Sequence, residues 1–184
     1  QLKRPVLNLE RKINANREAR LKFPGQPERF MDSEMELDDA VSRLHQLATA
    51  PQLFADAARL QVLPSLLSLL EHENTDICID VVDLLRELLE PDNFVEADDD
   101  ALELVEQLMA ESLVPLLLAV LPRLDETQEN DRTGVHSLLA IFEHLFELRP
   151  TFASETAQHT AVLDALLTRL KTKVPAIASE ENRL

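Results

Sequence analysis

Apolar residues recur along this chain at helical spacing and rarely alternate, so the pattern predicts helices throughout. Val62-Leu63-Pro64-Ser65-Leu66-Leu67-Ser68-Leu69-Leu70 reads as a short helix with proline in its first turn, where a missing N–H costs nothing. It stops at Glu71-His72-Glu73-Asn74. Thr75 to Glu90 then predicts a longer helix with Ile77, Val81, Val82, Leu84, Leu85, Leu88 and Leu89 facing inward, and Pro91 blocks its continuation. The arrangement returns 51 residues on from Pro64: Leu113-Val114-Pro115-Leu116-Leu117-Leu118, a polar turn around Asp125 to Asp131, and a long helix from about Arg132 to Leu148 before Pro150. A third start, Val162-Leu163-Asp164-Ala165-Leu166-Leu167, places Asp164 49 residues after Pro115.

Ahead of these units, Leu2 to Lys22 predicts one helix with a poor apolar face of Leu9, Ile13 and Leu21, too weak to fold unless it docks. Phe23-Pro24-Gly25-Gln26-Pro27 breaks it. Ser33 followed by Glu36 has the spacing of a capping box, opening a helix that carries Leu37, Val41, Leu44, Leu47 and Ala48 and closes before Pro51. A short helix from Pro51 to Leu60 follows.

A proline-led short helix turning into a long amphipathic one, repeated near 50 residues, indicates an all-α, armadillo/HEAT-like right-handed α-solenoid. Such units run about 40 to 47 residues, and the excess is assigned to an inserted acidic loop at Asn93 to Asp100. An ordinary helical bundle is the alternative. Only two glycines, Gly25 and Gly134, occur in 184 residues, which disfavours both a sheet and any phosphate-cradling loop.

Charge changes the picture of partners. Residues 1–29 hold eight bases and three acids, a balance of +5, while the whole chain carries −16, leaving −21 on the remainder. A basic arm on an acidic body favours basic protein partners over nucleic acid for the body. The arm itself either meets RNA phosphates, through Lys3, Lys12 or Lys22, or is neutralised by docking on the body. Trp and Tyr are absent, which removes stacking platforms. A single cysteine, Cys78, excludes an intrachain disulfide and suits a reducing compartment. No apolar run reaches the roughly 20 residues that span a bilayer. A first residue of Gln1 suggests a fragment or processed chain.

Enzymatic chemistry finds no motif: no catalytic residue, cofactor site, small-molecule substrate site or metal site is expected. His136 and His144 share a helix face without a third ligand, Asp98-Asp99-Asp100 lacks the Gly and Glu of a calcium loop, and Cys78 reads as core filler. One constellation points to binding. Asp76, Asp80, Asp83 and Glu87 are spaced four, three and four, which aligns four carboxylates opposite the leucines of the long helix. Like charges so placed repel by a few tenths of a kcal/mol per pair, and a Lys/Arg-rich partner would explain their retention. Glu143 and Glu147 sit one turn apart on the next long helix. If the last helix of each unit lines a concave surface, these six form an acidic groove for basic segments; the other reading is a solvated face.

Asn16-Arg17-Glu18-Ala19-Arg20-Leu21-Lys22-Phe23-Pro24 and Pro27-Glu28-Arg29-Phe30-Met31-Asp32-Ser33-Glu34 resemble the N-terminal signature of the catenin beta-like protein 1 family. So do His72-Glu73-Asn74-Thr75-Asp76 with Val81-Val82-Asp83-Leu84-Leu85, and Gly134-Val135-His136-Ser137-Leu138-Leu139-Ala140-Ile141 closing in Arg149-Pro150. The resemblance implies a nuclear, non-enzymatic armadillo protein of the spliceosome and its Nineteen complex that binds basic, nuclear-localisation-like segments of splicing factors. It also implies an N-terminal helical cap. The chain then divides into a basic helical arm (1–29), capping helices (30–61), a repeat with the acidic insertion near 93–100 (62–111), a repeat (112–158) and the start of a further one (159–184). A nuclear-import-type cargo adaptor using the same groove is the alternative function.

Overall fold

A computed structural model describes residues 2–95, 99–152, 162–164 and 166–168, with the side chains of 99–101 excepted. The described residues contain helices and no strand. In chain order these are α1 (Lys3–Lys22), α2 (Met31–Ser42), α3 (His45–Ala48), α4 (Phe54–Arg59), α5 (Val62–Leu69), α6 (Thr75–Leu88), α7 (Asp99–Ala110), α8 (Leu113–Val120) and α9 (Glu129–Leu148). The chain forms two compact units, residues 1–144 and 145–184.

The first unit grows by pairing neighbours: α1 on α2 and α5, α2 and α3 on α6, α4 on α5 and α7, α5 on α6, and α7 on α8. Its centre is the apolar stripe of α6, where Ile77, Val81, Val82, Leu84, Leu85, Leu88 and Leu89 are buried as their spacing predicts, joined by Cys78 and Ile79. The Cys78 thiol sits among the carbonyls of Leu69, Leu70 and His72, at 3.3, 3.4 and 3.1 Å. In the second unit the Phe146 and Phe152 rings lie 5.4 Å apart, and Val162 is buried.

The repeat is written in the backbone as well as in the leucines. Gln61 before α5 and Ser112 before α8 both adopt left-handed conformations, with φ of 53° and 66°, and they stand 51 residues apart like the two prolines. Gly134 of α9 closes the contact with α6: a Cβ built there would lie 2.7 Å from Ile79 Cγ1.

Several predicted elements differ. The capping box does not form: α2 begins at Met31, so Ser33 lies inside the first turn and its hydroxyl donates to the Phe30 carbonyl at 2.7 Å. Glu36 instead pairs with Lys12 at 2.7 Å. The helix predicted to run on to Ala48 breaks at Arg43–Leu44 into α2 and α3, although its five apolar residues are all buried. Pro51–Leu53 is a 3-10 turn ahead of α4, and α9 starts at Glu129, earlier than its apolar spacing indicates. On α1 the docked row is Leu2, Val6 and Leu9, continuing to buried Asn16, whereas Leu21 is 74% exposed. The expected acidic loop is partly structured. Pro91–Phe94 forms a 3-10 turn whose Asn93 donates to the Glu87 carbonyl at 2.8 Å, and Asp99–Asp100 open α7, a full helix that the acidic composition concealed. Residues 96–98, including Asp98, lie outside the described residues, as does most of 159–184.

Candidate functional site: an acidic face on the long helix of the first repeat

Tertiary packing decides what the carboxylates of α6 meet. The α2–α3 break turns His45 towards α6, with Nε2 3.1 Å from Asp80 Oδ1 and Nδ1 2.7 Å from Glu87 Oε2. Two carboxylates can be served at once only by an imidazolium donating from both nitrogens. The hydrogen bond to Asp80 chiefly, helped by Glu87 and opposed by burial, raises the His45 pKa from 6.5 to about 9. Ser42 donates to Asp80 Oδ2 at 3.2 Å. Asp76 accepts from Asn130 Nδ2 of α9 at 2.7 Å. Asp83 lies 3.9 Å from Arg86, which also reaches Glu87 at 3.5 Å.

The face is wider than the sequence indicated. Asp38 of α2 joins it: burial, then the charges of Asp80, of its chain neighbour Asp39 and of Asp76, push the Asp38 carboxyl above its usual range. Neither Asp38 nor His45 carries a local signal, because both arrive by helix packing across about 40 residues of chain.

Glu143 and Glu147 are exposed on α9. The buried positions 77, 78, 81, 84 and 85 of α6 recur as 134, 135, 138, 141 and 142 of α9, an offset of 57. In that register Ser137, Ala140 and His144 stand where Asp80, Asp83 and Glu87 do, and Glu143 stands at the place of Arg86. The α6 acids are therefore drawn together with α2, while Glu143 lies off their line and Glu147 belongs to the second unit.

The other two predicted histidines behave as helix residues: His136 is exposed, and His144 Nε2 faces Glu90 Oε2 at 3.7 Å. Among the described residues no cluster suited to a metal ion occurs, and no single helix is long and apolar enough to cross a membrane.

A second polar centre ties the arm to the repeats. The Asn74 N–H donates to His72 Nδ1 at 3.1 Å, so His72 carries its proton on Nε2 and donates to Asn16 Oδ1 at 3.0 Å. Asn16 Nδ2 donates to Ser33 Oγ at 3.0 Å, and Ser33 to Phe30 O. Each group in this relay has its partner, as buried polar groups require. Arg20, over the Phe30 ring, binds Glu34 and Glu73, and Arg123 binds the carbonyls of Leu70 and His72. Burial foremost, then the Arg20 charge, lowers the His72 pKa.

Stacked helix pairs with a recurring entry turn and a continuous leucine core define an armadillo-type α-solenoid module. Residues 1–183 match the family model described as "Catenin-beta-like, Arm-motif containing nuclear", and the chain belongs to that family. Beta-catenin-like protein 1 of Rattus norvegicus and that of Homo sapiens are each 42% identical over 179 residues, covering 97% of this chain and 32% of the relative. The Beta-catenin-like protein 1 homolog of Schizosaccharomyces pombe is 36% identical over 180 residues, covering 97% of this chain and 31% of its own length. The chain thus spans about a third of these curated relatives.

Proposed function

We propose that this chain is part of a non-enzymatic nuclear scaffold of the pre-mRNA splicing machinery, whose acidic face holds basic, nuclear-localisation-like segments of splicing factors, including those of the Nineteen complex. The observation that carries this reading is the gathering of Asp38 with Asp76, Asp80, Asp83 and Glu87 on one face. Such crowding costs a few tenths of a kcal/mol per close pair; His45 and Arg86 offset part of it, and cationic side chains of a partner would relieve more. The family's description as nuclear supports the compartment. With no Trp available, recognition rests on carboxylates, apolar contacts and backbone groups.

Titration of a lysine- and arginine-rich peptide against the full chain tests this. The doubly reversed variant Asp80→Lys/Asp83→Lys should weaken binding at least tenfold at low salt, with the difference shrinking as salt rises. Equal affinity of the folded variant and the parent chain would sink the proposal. Retention on splicing particles after a salt wash distinguishes the scaffold from a nuclear-import adaptor, which would wash away.

A further inference from the structure

Helix α1 carries two rows of residues at alternating three- and four-residue spacing. The inner row begins Leu2, Val6, Leu9 and is buried. The outer row is Arg4, Leu7, Arg11, Asn14, Glu18 and Leu21, and every member is exposed. Leu7 is 57% and Leu21 74% exposed. Fourteen residues of helix separate these two, about 21 Å on one face. Among the described residues, neither Arg4 nor Arg11 makes an ion pair, in contrast to Lys12 and Arg20, which dock the arm on Glu36, Glu34 and Glu73.

Leu7 and Leu21 stand two heptads apart and so share one heptad position with Asn14 between them, while Arg4, Arg11 and Glu18 fill the alternate position of the same row; one partner helix can meet both leucines, and the charges beside them choose it. We propose that the outer face of α1 is a docking surface for an acidic amphipathic helix of a partner protein, with Leu7 and Leu21 as the apolar anchors and Arg4 and Arg11 pairing its carboxylates. Charge complementarity sets the partner's sign. The leucines set its form: phosphate contacts would gain nothing from two exposed leucines, and Glu18 in the middle of the row repels a phosphate backbone, whereas a neutral or basic position on a partner helix accommodates it. This surface is separate from the α6 face, so the two proposals stand or fall independently.

The test uses the full chain and a synthetic helical peptide with leucines at heptad spacing flanked by glutamates. Binding should weaken at least tenfold in Leu7→Ser/Leu21→Ser and in Arg4→Glu/Arg11→Glu, the latter losing the salt dependence of the parent, while Asp80→Lys/Asp83→Lys binds as the parent does. All four α1 positions are exposed, so circular dichroism should show the helix content unchanged. The proposal is overturned if the peptide does not bind, or if both α1 variants bind it as the parent does. It is equally overturned if an RNA oligonucleotide binds in a manner sensitive to the arginines and blind to the leucines, or if sedimentation shows the leucines holding two copies of this chain together.

Discussion

Two histidines in the first unit occupy opposite charge states, and the contrast shows how this molecule treats polar groups at helix contacts. His72 lies where a backbone N–H approaches Nδ1 and an amide oxygen receives Nε2–H, so neutrality is enforced by hydrogen-bond direction as well as by burial. His45 lies between two carboxylates, which enforce a positive charge. The neutral centre joins the arm to the repeats; the charged one joins α3 to the acid-bearing helix. A neutral relay depends on every partner being present. A charged pair tolerates looser geometry and answers to pH and salt instead.

Removing one partner from the relay should have the largest effect. Asn16→Ala strands the buried Nε2–H of His72 and the acceptor of Ser33, and is expected to cost about 2–3 kcal/mol in denaturant unfolding. His45→Gln should cost about 1–2 kcal/mol near neutral pH, after allowing for screening of a side chain that is a quarter exposed. Because the His45 pKa is raised to about 9, its contribution is complete below the unfolded value of about 6.5 and is lost as pH rises through about 9. The variant and parent should therefore converge in stability by about pH 10.

The His72 relay runs the other way. With its pKa lowered, His72 contributes stability that is complete above about 6.5 and lost as pH falls through the depressed folded value. Nitrogen-detected NMR at pH 7 should show His45 doubly protonated and His72 as the Nε2–H tautomer; two neutral rings would break the comparison. Lys12→Ala should move stability by no more than about 0.5 kcal/mol, since Glu36 is 58% exposed.

Legibility in the sequence followed the same division. Apolar spacing located α5, α6 and α8 within a residue or two, because the leucines that define a helix face also bury it. The arm's docked row was harder to see, since polar Asn16 and Arg20 continue it, whereas Leu21, which the apolar spacing adds to Leu9 and Ile13, is exposed. Ser33 misled because its spacing to Glu36 imitates a cap, while its hydroxyl is taken by Phe30 and Asn16. The α6 carboxylates could be listed from spacing alone. Their partners could not: His45, Ser42 and Asn130 reach them from 35 to 54 residues away.

The positive torsions at Gln61 and Ser112 carry a wider consequence. Each costs about 1–2 kcal/mol in a residue with a side chain, and each lies in an exposed corner just before a helix. Glycine at either corner would relax that strain without altering a packed surface. The folding stability of each such unit can thus be tuned at its own entry corner, one residue at a time, with the buried leucines left as they are.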